Sequence, residues 1–231
     1  MVTDNRGRFK PAHGGDPAMT GFGGGTMIRT ARGDLPIEAV EVGDRILTVE
    51  GGYGSVRHVG RREIDCARHS KPKRVWPIRV LANAIAPGTP ARDLYLSPDH
   101  AVYLDGILVP IKRLANGVSV RQIHTGRVEY YFLELDNHDI LLANGLPVES
   151  GGIGPSVTWQ TTGGVVTTPL HNHANQNVRR DEGTPRRQSG PLVAAVRLKL
   201  DKRAAAIFFS GQPMALPDQT NGSVPGGIAS W

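Results

Sequence analysis

From residue 27 onward the apolar positions recur every second residue in short runs, and each run closes on glycine, proline, asparagine or aspartate. A period of two puts one face of an extended chain in a core and the other in water, so the pattern predicts β-strands. The first run is Met-Ile-Arg-Thr at 27–30, broken by Arg32-Gly33-Asp34; residues 35–40 follow, then a turn at 41–44 and a run at 45–49. Residues 55–60 alternate again, and 75–81 form the next strand, which Pro77 confines to a sheet edge or a bulge. The interval 61–74 carries Arg61, Arg62, Arg68, Lys71, Lys73 and Arg74 without an interleaved aromatic, and reads as a solvated basic loop.

The second half repeats the pattern. Leu94, Leu96, Val102 and Leu104 alternate on either side of Ser97-Pro98-Asp99, turn chemistry that interrupts the pairing and sets His100 between two strands. A serine hydroxyl three residues before an imidazole at such a break is placed to hydrogen-bond a single peptide group. The alternative is a histidine packed at a strand end with its ring satisfied by backbone. Runs at 107–110, 111–114 and 118–123 follow, then the most β-prone stretch, Val-Glu-Tyr-Tyr-Phe-Leu-Glu-Leu at 128–135. It leads through Asp136-Asn137-His138-Asp139 to 140–143, where Asn144-Gly145 marks a tight hairpin. About ten short strands at even spacing predict a compact all-β body that ends near Ser150.

The flanks have another character. Residues 1–20 lack apolar patterning and read as a disordered leader; 151–231 open with glycine-, threonine- and arginine-rich linker. Within that tail, 192–209 predicts one helix, with Leu192, Val193, Val196, Leu200, Ile207 and Phe208 on its apolar side. A tail helix folded back on the β body is its ordinary role, and binding a partner or a membrane surface the other. His171 and His173 lack a third ligand nearby, so no metal site is expected. The glycine-rich entry at 21–25 lacks the Lys-Ser/Thr ending of a phosphate loop, and no amphipathic helix follows it.

Composition changes little in this picture. With 29 glycines and 17 prolines in 231 residues the chain is loop-rich, and 6% aromatic content argues against a base-stacking surface. The net charge of +6 permits weak attraction to anionic partners, but no nucleic-acid site is expected from it. One cysteine, Cys66, excludes an intrachain disulfide and a cysteine-built zinc site. No run reaches the length of a membrane helix, and the N-terminus has no segment of signal-peptide type. A cytoplasmic location is the default, with export lacking a cleaved leader left open; oligomeric state is not legible.

Taken in order, Gly-Thr-Met-Ile-Arg-Thr, Val-Gly-Asp-Arg-Ile-Leu-Thr, Leu-Ser-Pro-Asp-His-Ala and Glu-Leu-Asp-Asn-His-Asp-Ile-Leu-Leu-Ala-Asn-Gly-Leu-Pro-Val-Glu-Ser resemble the Hint superfamily of Hedgehog autoprocessing domains and inteins, its bacterial members above all. The resemblance covers residues 21–150 and implies a pseudo-symmetric all-β horseshoe. It implies a first residue, cysteine, that attacks the preceding carbonyl and turns an amide into a thioester, with the chain's own N-terminal segment as substrate and no cofactor. Ser97 and His100 then fall on the block whose hydroxyl orients the scissile amide and whose imidazole protonates it. His138 falls on the later block that supports C-terminal chemistry in inteins.

Two departures qualify the resemblance. The nucleophile's position is Gly21, which has no side chain with which to attack, so cleavage at Thr20-Gly21 is not expected; a cysteine there would restore the mechanism. Cys66 matches no catalytic block. The body ends in Glu149-Ser150 where inteins end in His-Asn, so splicing is not expected either. Two other readings use the same residues: a non-enzymatic β module that binds a protein or an anionic surface, and a Ser/His hydrolase, which lacks a nucleophile elbow.

Overall fold

The computed structural model describes residues 20–151 and 184–209. Strands of the first span are β1 (Phe22–Gly23), β2 (Met27–Thr30), β3 (Gly33–Pro36), β4 (Arg45–Leu47), β5 (Tyr53–Asp65), β6 (Ile78–Val80) and β7 (Leu94–Leu96), continuing with β8 (Ala101–Leu104), β9 (Ile107–Pro110), β10 (Val120–Gln122), β11 (Arg127–Leu135), β12 (Ile140–Ala143) and β13 (Leu146–Glu149). One antiparallel sheet connects them in the order β10-β6-β7-β1-β11-β5-β4-β2-β12-β13-β8-β9, with β3 paired to β2. A single helix, α1 (Pro191–Phe209), completes the described chain. The mostly β architecture is the one expected from the alternation, with thirteen strands rather than about ten. Among the described residues no helix is long and apolar enough to cross a membrane.

The long β5–β11 pair is the spine of the sheet, in register from Arg127↔Asp65 to Glu134↔His58. Both faces of β11 are covered. Tyr131, Leu133 and Leu135 enter the main core, while Val128, Tyr130 and Phe132 meet Ile64, Cys66 and Val75 in a smaller cluster. That double burial explains why 128–135 is so uniformly apolar and aromatic.

Three sequence expectations need correction. The start of the basic interval is strand, not loop: residues 61–65 belong to β5, where Arg61 pairs with Glu129 at 2.8 Å and Glu63 with Arg127 at 2.7 Å across the ladder. Opposite charges facing each other on one sheet face remove the repulsion that a run of arginines otherwise implies. Residues 35–40 do not form one strand, because Pro36 has no N–H for the ladder and caps a 3-10 turn at Ile37–Ala39 instead. Pro77 does not confine its strand to an edge: β6 begins one residue later and lies between β10 and β7.

The expected hairpin forms at Asn144-Gly145. Both residues have left-handed backbone, φ 49° and 80°, which a two-residue turn joining twisted strands requires. The helix docks on the body through Val193, Val196, Leu200 and Ala204, which are buried, and Leu192 is half exposed, outside that stripe. The leader and most of the linker, with His171 and His173, lie outside the described residues.

Candidate functional site

The site grows from the break between β7 and β8. Pro98 offers no ladder donor, and the Ser97–His100 segment closes as a turn, the His100 N–H donating to the Ser97 carbonyl at 3.1 Å. Both side chains are fully buried. What they meet is the entry of the chain into the body. Gly21 immediately precedes β1, whose Phe22 is paired with Leu96 on one side and Tyr131 on the other.

Ser97 takes both main-chain polar groups of Gly21. The Gly21 N–H donates to Ser97 Oγ at 2.8 Å, and the Ser97 N–H donates to the Gly21 carbonyl at 2.9 Å. His100 Nδ1 lies 3.1 Å from the same carbonyl, and the edge of the Phe22 ring packs on the imidazole with centroids 4.4 Å apart. The hydroxyl thus lies on the nitrogen of the Thr20-Gly21 amide. The imidazole sits one carbonyl further along the chain.

The other ring nitrogen, Nε2, lies 3.0 Å from the main-chain carbonyl of Glu149 at the end of β13. Both nitrogens therefore face oxygens that only accept. A neutral imidazole has one N–H and satisfies one of them; the imidazolium satisfies both. Burial nevertheless pushes the His100 pKa below its ordinary value, against the upward pull of the Glu149 carboxylate and the two carbonyls, and with Arg186 adding to the downward push.

Glu149 is the charged centre of the surroundings. Its carboxylate is buried, accepts the Ala101 N–H at 2.8 Å, and receives Arg186 Nη1 on both oxygens at 2.7 and 2.6 Å. Arg186 Nη2 donates to the Asp99 carbonyl at 2.7 Å. His138 also approaches that carboxylate, its Nε2 3.8 Å from Oε2 and partly exposed. It meets Glu149 rather than Gly21. Its neighbour Asp139 is tied to Ser150 in both directions, N–H to Oγ at 2.9 Å and Ser150 N–H to carbonyl at 2.6 Å.

Gly21 fits where a larger residue does not. A Cβ placed on it would lie 2.7 Å from Tyr130 Cβ and 3.0 Å from Cγ, so a side chain at 21 requires Tyr130 or the backbone around it to shift. Tyr130 is itself fixed, fully buried with its hydroxyl donating to the Val75 carbonyl at 2.8 Å. A cysteine at 21 therefore needs its neighbours to shift. At the exit from the body, a Cβ on Gly151 would lie 2.9 Å from the Thr20 carbonyl oxygen, so the two edges of the body adjoin. Cys66 is buried in the Tyr130 cluster, where burial and the Asp65 carboxylate push its thiol pKa up. That is the reverse of what a nucleophile needs.

A family model described as a Hint domain matches residues 20–155. The chain belongs to the Hint family. No curated protein matches it. Among solved structures, this Hint chain is similar to the gp41-1 intein, with 14% identity, a TM-score of 0.41, and coverage of 56% of this chain and 97% of the other. It is also similar to a bacterial intein-like domain from Clostridium thermocellum, at 17% identity and TM-score 0.36 over 57% and 99% of the two chains. A DnaB intein from Synechocystis sp. PCC 6803 has 11% identity and TM-score 0.40, with 57% and 98% covered.

Ser97, His100 and Gly21, singled out in the sequence, come together; His138 reaches them only through Glu149. Two residues that the sequence reading gave no role, Glu149 and Arg186, supply the charge around the imidazole. A carboxylate at the end of an apolar strand is a signal that some cation must be found for it. Nothing in the pattern points to one 37 residues downstream.

Proposed function

We propose that this Hint domain retains the amide-holding half of its family's autoprocessing site and holds the Thr20-Gly21 peptide without cleaving it. The observation that carries the reading is the double grip on Gly21 by buried Ser97 and His100, combined with a packed Tyr130 where a nucleophile's side chain would stand. The family reaction needs a thiolate at residue 21 to attack the Thr20 carbonyl and an acid to protonate the departing Gly21 nitrogen. Ser97 Oγ marks that nitrogen, but no attacking atom accompanies it. General acid assistance, about 10²- to 10⁴-fold in a competent site, then has no acyl transfer to accelerate.

The test is intact-mass measurement of the full chain incubated with dithiothreitol or hydroxylamine. The expected result is an uncut chain. A fragment starting at Gly21 overturns the reading. The Gly21→Cys variant, folded by circular dichroism, is expected to stay uncut as well; cleavage of that variant would locate the whole loss of activity in residue 21 rather than in residue 21 and its packing.

A further inference from the structure

Residues 184–188 lie beyond the matched Hint span and still reach the amide-holding pair. Leu108 of β9 donates its N–H to the Pro185 carbonyl at 3.1 Å, and its own carbonyl accepts the Arg187 N–H at 2.8 Å, so the segment joins the sheet as a short parallel bridge. Behind it α1 is anchored in the main core through Val193, Val196 and Leu200. The bridge delivers one side chain inward. Arg186 binds the carbonyl of Asp99, the residue before His100, and the carboxylate of Glu149, which also holds the N–H of Ala101, the residue after it. The guanidinium therefore holds both neighbours of His100, Asp99 directly and Ala101 through Glu149, with three hydrogen bonds from its planar fork.

We propose that Arg186 is a positioning residue of this site, supplied from outside the Hint body, and that His100 meets the Gly21 carbonyl in its observed pose only while the 184–209 segment is docked. The inference rests on the reading of Ser97 and His100 as the pair that holds Gly21, Ser97 at its amide nitrogen and His100 at its carbonyl. Its physical basis is the buried Glu149 carboxylate, 2% exposed, which is stable there only with a cation and donors around it. Without Arg186 the carboxylate must turn toward His138 or water, or take the charge of an imidazolium at His100. Each of these moves the end of β13, where the Glu149 carbonyl holds Nε2. The charged groups around His100 are Glu149 with Arg186 bound to its carboxylate, Asp99 of its own turn paired with Lys112 of the 3-10 turn 111–114, and His138 against Glu149, beside the uncharged Phe22 ring. Removal of Arg186 thus leaves a carboxylate as the nearest charge and favours the protonated ring.

The experiment follows the ring nitrogens of His100 by NMR in the full chain labelled with ¹⁵N-histidine, together with hydrogen exchange of the Gly21 amide. In Arg186→Gln the His100 titration midpoint is expected to rise by about one unit, and Gly21 exchange to accelerate about tenfold, each the equivalent of about 1.4 kcal/mol. Amides within the β5–β11 pair should exchange as before. Arg186→Lys keeps the cation but not the fork, and decides the matter if the glutamine variant does not fold; a smaller change in the same direction is expected. Unaltered ring signals and Gly21 exchange in the folded variants overturn the proposal. Ser97→Ala separates this from the parent reading: if it too leaves Gly21 exchange unchanged, the grip on the amide is what fails, and if it alone accelerates exchange, only the role of Arg186 fails.

Discussion

The β-carbon that a residue at 21 would carry meets the β-carbon of Tyr130 at 2.7 Å and its ring atoms Cγ and Cδ1 at 3.0 and 3.2 Å, so both the approach of the backbones and the ring crowd the position. Gly21→Ala should accordingly cost about 1–3 kcal/mol, the usual penalty for overpacking. Gly126 provides the contrast: a Cβ there meets nothing within 4 Å and the backbone is not left-handed. Gly126→Ala should be neutral or gain up to about 1 kcal/mol by restricting the unfolded chain, both values read from urea denaturation. His100 makes a second prediction. Its native pKa is depressed below the unfolded value of about 6.5, so between those two values the unfolded chain binds more protons and stability rises with pH. Acidification from pH 7 should destabilise the protein through that window, by at most about 1.4 kcal/mol per pH unit for one proton, and the slope should diminish in His100→Gln. Midpoints of denaturant melts at a series of pH values measure it. Ser97 and His100 were legible because a turn between two alternating runs aims side chains inward. Arg186 was not, because its partner Glu149 is met only when a distant segment folds back.

Among elements, the helix offers the sharpest comparison. Leu200 is buried against the body and Leu198, two positions earlier, is 56% exposed. Leu200→Ala should cost about 2–5 kcal/mol and Leu198→Ala within about 0.5, with the helical circular dichroism signal lost at lower denaturant in the first variant alone. Alternation revealed most strands, and the Asn-Gly pair revealed the β12–β13 hairpin, since both signals are local. The extension of β5 through residues 61–65 is not local. Its Arg61 and Glu63 are met by Glu129 and Arg127 of β11 across the ladder, a match that the local pattern does not display. The prolines at 36 and 77 show the converse: each lies at a strand boundary, Pro36 closing β3 and Pro77 preceding β6, so the effect of the residue depends on one position of register that the sequence does not display.

For the whole molecule, the question raised by a charge of +6 is where it resides. In the β body, residues 20–151, cations and carboxylates nearly balance, and pairs such as Arg29 with Asp34, Arg79 with Asp93 and Arg61 with Glu129 leave little excess; the surplus lies in 184–209, where Arg186, Arg187, Arg197, Lys199, Lys202 and Arg203 face one carboxylate, Asp201. Of these six, Arg186, Lys199 and Arg203 are held by Glu149, Asp105 and the Asn83 carbonyl, which leaves Arg187, Arg197 and Lys202 beside Asp201, too few to track a phosphate backbone. Binding to duplex DNA should then involve about two phosphates at a time, and counterion release predicts a fall of only about tenfold between about 50 and 200 mM salt. Six or more concerted contacts would instead produce a fall of about 10³-fold or greater over the same range. Fluorescence anisotropy with a labelled duplex distinguishes the two slopes. A steep one would mean that cations from separate faces act together, and would favour a binding module over a domain whose buried groups are directed at its own first peptide.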